Sequence, residues 1–229
     1  MDISEIKGMV PALLYEKLSA EIKTLRPAQK KAIDAGLFAG KNLLVCTPTA
    51  SGKTLIAELA LVSNILSGKG KGIYIVPLKA LASEKFRDFH SRYNECFRMV
   101  LAIGDMDSDD PYLSQNDLIF ATSEKLDSLL RHRSGWLSQV RTLIIDEIHL
   151  LNDATRGPIL EILITMMRKI IPSVQIIGLS ATIGNPDELA AWLDANLVID
   201  AWRPVALEEG ISVEGKVTFY PSRDTPGPQ

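Results

Sequence analysis

Thr47-Pro48-Thr49-Ala50-Ser51-Gly52-Lys53-Thr54 is the stretch of sequence that decides the fold. An apolar run at residues 43–46 precedes it, and a run typical of a helix follows at residues 55–60. A strand, a loop of small residues ending in Gly-Lys-Thr and a helix form the context of a phosphate-binding loop. In that context the backbone N–H groups and the helix dipole favour an anion at the helix N-terminus.

The side chains of this phosphate loop (residues 47–54) suggest individual roles. Lys53 adds a positive charge for the β and γ phosphates of a nucleotide, and Thr54 offers a hydroxyl to Mg²⁺. The other residues expected to bind the nucleotide are small or hydroxylic: Thr49, Ala50, Ser51 and Gly52. Thr47, however, stands where the first glycine of such loops is usual. The alternative is a plain strand-to-helix connection with a solvated lysine.

Composition limits the classes of protein that fit. The chain has 229 residues, 46% of them hydrophobic, which is enough to bury a full core. A net charge of −3 excludes a general attraction to nucleic acid, so any such contact must come from a local patch. Cys46 and Cys96 show no metal-ligand spacing and are expected to be core thiols in a reducing compartment. With no signal peptide or membrane-spanning run found, we expect a cytoplasmic protein.

Apolar runs and helical stretches alternate through most of the chain. The apolar runs are continuous, which predicts strands that are buried on both faces. Strands are predicted at residues 43–46, 73–76, 99–103, 118–121, 143–145, 174–177 and 198–199. Helices are predicted at residues 10–18, 27–38, 54–66, 78–93, 124–131, 156–170 and 186–193. The sequence therefore predicts an α/β fold with a doubly wound, mostly parallel sheet and helices on both faces.

Two adjacent carboxylates, Asp146 and Glu147, end an apolar strand at residues 143–145. In open α/β sheets, ligands bind at the carboxyl ends of the strands. If this strand neighbours the one before the phosphate loop, Asp146 can hold Mg²⁺ through water, and Glu147 can polarise the water that attacks the γ-phosphate. Carboxylates at the end of such a strand are costly without a cation or partners. The alternative is an ordinary acidic loop.

Weaker signals lie at two other places. Ser180 and Thr182 follow a predicted strand, and their hydroxyls could bond the carboxylates and His149, which would couple the nucleotide to another surface. Gln29 lies upstream of the phosphate loop, and its amide can both donate to and accept from the edge of adenine. Most glutamines in such a place simply solvate a helix end.

Six motifs together resemble the first RecA-like domain of superfamily-two helicases of the Ski-two-like branch. They occur in family order, at residues 26–29, 47–54, 76–81, 121–125, 146–149 and 180–182. Within the branch, residues 122–131 and 201–205 are similar to the archaeal DNA helicases that act at stalled replication forks. The resemblance covers nearly the whole chain.

The resemblance implies an ATP- and Mg²⁺-dependent 3′-to-5′ DNA helicase of replication-fork repair. Lys53, Asp146 and Glu147 would be catalytic, and Thr54 with Asp146 would hold the metal. Gln29 would read adenine, and His149, Ser180 and Thr182 would couple hydrolysis to strand movement. The residues expected along one strand of single-stranded or forked DNA are Pro77, Lys79, Gly104, Asp105, Thr122, Ser123 and Lys125.

The resemblance also suggests a division of the chain. Residues 1–24 would be a helical lead-in, residues 25–200 the RecA-like ATP-binding domain, and residues 201–229 a linker. A second RecA-like domain and accessory domains would follow, because no arginine-finger motif is found to complete the ATP site. We expect a monomer that hydrolyses ATP slowly by itself. The alternatives are an RNA helicase of the same branch and a nucleotide-dependent binding module; a P-loop kinase is disfavoured because Asp-Glu-Ile-His has no role there.

Overall fold

The structure of the protein is a computed structural model that describes residues 1–103, 111–132, 134–205 and 208–220. Within these residues, seven strands form one sheet in which every pairing is parallel. They are β1 (Leu43–Cys46), β2 (Lys71–Ile75), β3 (Met99–Ala102), β4 (Leu118–Ala121), β5 (Val140–Ile145), β6 (Gln175–Ser180) and β7 (Asn196–Ile199). Their order across the sheet is β3-β4-β2-β5-β6-β1-β7.

Helices precede and connect these strands. They are α1 (Ala12–Glu21), α2 (Pro27–Asp34), α3 (Lys53–Leu66), α4 (Lys79–Tyr93), α5 (Ser123–Arg131), α6 (Gly157–Ile170) and α7 (Pro186–Leu193). Short 3-10 helices lie at Ile3–Ile6, Pro111–Gln115, Gly135–Gln139 and Ile148–Asn152. Among the described residues, no helix is both long and apolar enough to cross a membrane.

The core consists of two layers, one on each face of the sheet. Alternate residues of a strand point to opposite faces. In β1, Leu43 and Val45 therefore join the layer that contains α1, α3 and α4, whereas Leu44 and Cys46 join the layer that contains α5, α6 and α7. Helices on both sides make the arrangement doubly wound, as the sequence predicts.

All the predicted strands and helices occur, although their bounds differ by a few residues. The largest difference is at α2, which ends at Asp34 instead of the predicted Phe38. β5 begins three residues earlier than predicted, at Val140, and β6 extends three residues further, to Ser180. Polar residues at the strand ends, such as Thr142 and Ser180, conceal these extensions in the sequence. Within α1, Leu13 is 42% exposed, while Leu14 is fully buried.

The two ends of the chain differ in how they relate to this core. Ile6, Leu14 and Leu18, within the predicted lead-in, are buried in the same layer as α3 and α4. Where a linker was predicted, the structure forms an antiparallel hairpin of β8 (Glu209–Val213) and β9 (Lys216–Tyr220). Residues 221–229 lie outside the described part of the chain.

Candidate nucleotide-binding site

The phosphate loop connects the end of β1 to the start of α3. Its backbone turns through the left-handed region at two residues, Ala50 with φ 62° and Gly52 with φ 93°. Gly52 is the N-cap of α3, so the loop delivers the chain directly to the positive end of a 14-residue helix. The predicted strand, loop and helix are all present in this structure.

Thr47, which replaces the usual first glycine, is fully buried and belongs to the loop's own framework. Its hydroxyl lies 2.7 Å from the hydroxyl of Ser51, which is also buried. Its N–H donates to the carbonyl oxygen of Ser180 at 3.2 Å, which joins the loop to the end of β6. The side chain of Thr47 therefore supports the loop from inside.

Lys53 lies where the loop meets the helix, and its ammonium group faces the loop. Its Nζ donates to the carbonyl oxygens of Thr47 at 2.8 Å and Pro48 at 3.0 Å. Burial lowers the pKa of Lys53, while the carboxylates of Glu147 and Asp146 act in the opposite direction. A partly desolvated ammonium group enclosed by a loop is suited to bind a phosphate strongly.

The start of α2 holds the phosphate loop from the other side. Gln29 is 3% exposed; its Oε1 accepts from the N–H of Arg26 at 2.7 Å, and its Nε2 donates to the carbonyl of Gly52 at 3.1 Å. Arg26 donates to the carbonyl of Ala50 and lies under the ring of Trp202, with 5.4 Å from its Cζ to the ring centroid. Gln29 thus connects α2 to the loop, and its contact with adenine stays a prediction. No local feature of the sequence indicates the role of Arg26.

Asp146 and Glu147 follow β5. The role expected of them from the sequence was conditional on β5 and β1 being neighbours, and the two strands are not neighbours. β6 lies between them, so the ends of three adjacent strands carry the site. Asp146 accepts from the hydroxyl of Tyr74 at 3.0 Å and from the N–H of Glu147 at 3.1 Å. Burial, and then the charge of Asp146, raise the pKa of Tyr74 well above its usual value, so this hydroxyl stays protonated and donates.

Glu147 has a left-handed backbone, with φ 53° and ψ 44°. A residue with a Cβ atom adopts this conformation at a cost of about 1 kcal/mol. Such strain is found preferentially at functional sites. Its carboxylate is about one-third exposed, which leaves it accessible to water.

Thr54, the predicted metal ligand of the loop, has an unexpected partner. Lys85 of α4 donates from its Nζ to the Thr54 hydroxyl oxygen at 3.0 Å. The sequence could not reveal this contact, because the two residues are 31 positions apart and no motif relates them.

The three residues expected to couple the site to another surface are not hydrogen-bonded to one another. Ser180 is fully buried, and its hydroxyl has no hydrogen-bond partner among the described residues. His149 Nδ1 lies 3.3 Å from Glu147 Oε2 without the alignment of a hydrogen bond. Thr182 is exposed. In the described part of the chain, no bond from Ser180 or Thr182 reaches His149 or the carboxylates, and their coupling role stays a prediction.

The residues expected to contact nucleic acid follow β2 and β4, which are neighbours. Lys79 is exposed at the start of α4, whereas Thr122, Ser123 and Lys125 are buried at the start of α5. The Thr122 hydroxyl caps α5 by accepting from the N–H of Lys125. A phosphate would therefore meet the backbone of this helix start more readily than its side chains. Gly104 and Asp105 lie outside the described residues.

A narrow cleft joins the two groups of residues. It is lined by Pro77 and Ser123 on the nucleic-acid side, by Asp146 and Glu147 on the nucleotide side, and by Arg156. A larger cleft of about 440 Å³ lies at the opposite edge of the sheet, beside Asn42 and Asp194. That cleft is far from the carboxyl ends of the strands, where ligands of such sheets bind.

The side chains present fit a nucleotide and a hard cation. The site combines a partly buried ammonium group, a helix N-terminus, a hydroxyl and two carboxylates. Mg²⁺ is typically held by one or two protein oxygens together with phosphates. Thr54 and Asp146 supply such oxygens, and each oxygen keeps an electron pair beyond the hydrogen bond that it accepts. Among the described residues, no cluster of three His, Cys, Asp or Glu side chains suggests a different metal.

A parallel sheet with a phosphate loop after one strand and paired carboxylates two strands away defines a RecA-like P-loop domain. The sequence model of the DEAD/DEAH box helicase family matches residues 26–189, and the chain belongs to this family. Membership implies the use of a nucleotide.

Several relatives are helicases of archaea. The chain is 54% identical over 205 residues to the ATP-dependent DNA helicase Hel308 of Methanocaldococcus jannaschii, covering 86% of this chain and 17% of that protein. It is 53% identical to that of Pyrococcus abyssi, covering 86% and 27%, and 49% identical to that of Caldivirga maquilingensis, covering 96% and 29%. The chain thus spans less than a third of the length of these relatives.

Solved structures show the same fold. The helicase Lhr of Mycobacterium smegmatis, bound to single-stranded DNA and AMP-PNP, superposes with a TM-score of 0.75 at 28% identity, over 89% of this chain and 28% of that chain. The helicase MrfA, bound to DNA, has a TM-score of 0.70 at 24% identity, over 84% and 30%. The second likeness bears on the fold alone.

Proposed function

We propose that this chain is the first motor domain of an ATP-dependent 3′-to-5′ DNA helicase that acts in the repair of replication forks. The observation that carries the proposal is the convergence of the phosphate loop, the partly buried Lys53 and the carboxylates of Asp146 and Glu147 at the carboxyl ends of β1 and β5, which β6 separates. The choice of DNA is supported by the names of the archaeal relatives, and the polarity and the fork substrate by resemblance to that group. The site of action would be the cytoplasm.

The chain's own residues would divide the work of hydrolysis. Lys53 would exchange its two loop carbonyls for phosphate oxygens, and the N-terminus of α3 would hold the same phosphates through its N–H groups. Glu147 would accept a proton from the attacking water. Tyr74 would keep Asp146 oriented through its hydroxyl. Gln29 would contact adenine through the side-chain N–H and the oxygen lone pair that its present hydrogen bonds leave unused.

Mg²⁺ would be held by Thr54 and Asp146 together with the nucleotide. When bound, the ion neutralises charge that develops on the β and γ phosphates. The oxygen donors present are those that Mg²⁺ prefers.

Further parts of the motor would come from outside this chain. A second RecA-like domain would supply arginines to the γ-phosphate, and accessory domains would engage the DNA. Such arginines are worth several orders of magnitude in rate, so the chain by itself would be a monomer that binds ATP weakly and hydrolyses it slowly. Lys79, Pro77 and the start of α5 would line one DNA strand beside the cleft that leads to Asp146 and Glu147. His149, Ser180 and Thr182 would transmit the nucleotide state to that strand.

The proposal is tested with Glu147→Gln in the full-length polypeptide that contains this chain. We expect DNA-stimulated ATP hydrolysis to fall by about 10²–10⁴-fold, the usual worth of a general base, while ATP binding is kept. Glu161→Gln, on the exposed side of α6, is the matched control and should hydrolyse ATP like the wild type. Hydrolysis that survives in Glu147→Gln would show that another group is the base, or that turnover is incidental to a binding module.

The nucleic acid is tested separately. Forked DNA and RNA of the same sequence are compared as stimulators of ATP hydrolysis by the full-length wild type. We expect the DNA to stimulate hydrolysis more strongly than the RNA. The opposite order would favour an RNA helicase of the same branch, since contacts to phosphates alone distinguish DNA from RNA poorly.

A further inference from the structure

The hydroxyl oxygen of Thr54 has two candidate partners, the ammonium group of Lys85 and a Mg²⁺ ion. Lys85 Nζ donates to the Thr54 hydroxyl oxygen at 3.0 Å, and both side chains are partly buried. This oxygen is the one that Thr54 would offer to Mg²⁺. An ammonium group and a divalent cation at the same oxygen repel each other, and partial burial strengthens the repulsion. Lys85 and the metal therefore compete.

A second polar contact between α3 and α4 fixes the position of Lys85. Glu58 lies one helical turn after Thr54, and its buried carboxylate accepts from Arg92 at 2.7 Å and from the Tyr93 hydroxyl at 2.6 Å. Arg92 lies two turns after Lys85 in α4. The pairs Thr54–Lys85 and Glu58–Arg92 thus form one polar seam between the two helices, which holds the Lys85 backbone beside Thr54.

The same helix also supports the other proposed metal ligand. Phe89 of α4 packs edge-on against the ring of Tyr74, with the ring centroids 6.0 Å apart. The hydroxyl of Tyr74 donates to Asp146 at 3.0 Å. α4 is therefore connected to Thr54 by one direct contact and to Asp146 through a buried aromatic ring. No motif of the sequence identifies α4 as part of the metal site.

We propose that Lys85 is a positioning residue that competes with Mg²⁺ for the Thr54 hydroxyl, so that α4 responds to the arrival of the metal-bound nucleotide. The inference rests on the proposed function, because it takes Thr54 as a metal ligand. α4 begins at Lys79, which is exposed on the side expected to contact DNA. Release of Lys85 from Thr54 would thus affect α4, the helix that carries the proposed DNA contact of Lys79. This route is separate from the one proposed through His149, Ser180 and Thr182.

The test measures binding of a fluorescent ADP analogue to the 229-residue chain across a series of Mg²⁺ concentrations and in EDTA. Lys85→Met removes the charge and the donor but keeps the length of the side chain. We expect it to lower the Mg²⁺ concentration at half-maximal binding by about tenfold, the worth of one hydrogen bond to a charged group. Affinity in EDTA should stay within about twofold, because Lys85 would not bind the phosphates.

Two further variants serve as controls. Arg87→Met removes a positive charge from the exposed side of α4, where Arg87 bonds only locally to the carbonyl of Ser83 among the contacts described, and should leave the Mg²⁺ midpoint unchanged. Lys85→Arg retains the charge and a donor and should keep a midpoint close to the wild-type value. Thermal melts of each variant establish that the fold is intact.

Three results would overturn the inference. An unchanged midpoint in Lys85→Met would show that Lys85 does not compete with the metal. Weaker binding of Lys85→Met in EDTA would make Lys85 a phosphate ligand instead. If the wild-type chain binds the analogue at no Mg²⁺ concentration, both the proposed function and this inference are wrong. The titration of the wild type alone distinguishes this outcome from the first two, which concern the variant.

Hydrogen exchange supplies a second readout at α4 itself. Addition of Mg²⁺ and ADP to the wild type should change the exchange rates of amides in the first two turns of α4, near residues 79–86. In Lys85→Met the same addition should leave those rates closer to their starting values. An equal change in both proteins would show that α4 responds to the nucleotide without Lys85, which contradicts the proposal.

Discussion

At the scale of single residues, Gly52 shows how closely the loop and α2 are fitted together. Its φ of 93° lies in the left-handed region, and a Cβ atom on it would stand 2.4 Å from the Gln29 side-chain nitrogen and 3.2 Å from Arg26 Cδ. Glycine is therefore required twice, by the backbone conformation and by the close approach of Gln29. The sequence motif indicates the need for a left-handed backbone. The close approach of Gln29 depends on how α2 packs, which the motif does not indicate.

We expect Gly52→Ala to lower nucleotide affinity by about tenfold or more, because Gln29 must move and the loop with it. Gly40→Ala is the matched control: its φ is 75°, but nothing lies within 4 Å of the added Cβ. Both variants should lose about 1 kcal/mol of unfolding free energy from the left-handed backbone. Titration calorimetry and urea unfolding separate the two effects; equal affinity of the two variants would contradict the role given to Gln29.

At the scale of elements, the pairing of α3 with α4 depends on a buried carboxylate. Glu58 is 2% exposed and accepts from Arg92 and Tyr93, which belong to the last turn of α4. Burial, and then the charge of Glu58, raise the pKa of Tyr93, so the Tyr93 hydroxyl remains a donor at any physiological pH. Removal of the acceptor alone would leave a guanidinium and a hydroxyl group unpaired.

We expect Glu58→Ala to lower the free energy of unfolding by about 2–4 kcal/mol, less than for a fully buried ion pair because Arg92 is partly exposed. The double variant Glu58→Met with Arg92→Met should recover part of this loss, since it removes both charges and fills the space. Urea unfolding of both proteins measures the difference. A Glu58→Ala protein as stable as the wild type would show that the seam contributes nothing to the pairing of the helices.

The elements were the most predictable part of the molecule, and their contacts the least. Continuous apolar runs located β1 and β4 to the residue, because burial on both faces requires such runs. The position of β6 between β1 and β5 could not be predicted, since strand order depends on how the crossovers fold back. The hairpin lies where the sequence predicts a linker. The turn signal in that stretch is Glu214-Gly215, whose two residues both have positive φ.

The site shows the same division between local and tertiary information. The phosphate loop and the pair Asp146-Glu147 were predictable because each motif is contiguous and ends a strand. Arg26, Tyr74, Glu58 and Lys85 were not recognised, since each acts through a partner that only the fold brings near. The predicted bonds from Ser180 and Thr182 to His149 are not formed, although chain proximity to β5 made them plausible.

At the scale of the whole molecule, the first and last segments make different contributions to stability. Ile6, Leu14 and Leu18 of the first segment are buried at 1% exposure or less. The apolar side chains of the hairpin are exposed by 52–63%: Ile211, Val213, Val217 and Phe219. We therefore propose that the folded unit extends from the first residues to the stacking of Trp202 on Arg26, and that the hairpin is not needed to maintain it.

We expect a chain that ends at residue 205 to melt within about 2 °C of the wild type, because little buried surface is removed. It should also aggregate less, since exposed apolar strands promote association. Deletion of residues 1–24 is the contrasting variant and should abolish cooperative unfolding, because the loss of several buried side chains exceeds the stability of a typical domain. Calorimetry compares the three proteins; a lower melting temperature for the chain ending at residue 205 would assign the hairpin to the folded unit.

The left-handed backbone of Glu147 brings thermal stability and ATP turnover into conflict at one position. Glycine and asparagine adopt this conformation more easily than glutamate, so either residue would relax the chain there. Neither residue carries the carboxylate that the proposed chemistry needs. A laboratory selection for thermostability would thus tend to discard Glu147, whereas a selection for ATP turnover would keep it. Directed evolution of this domain should therefore hold position 147 fixed while it varies the rest of the chain.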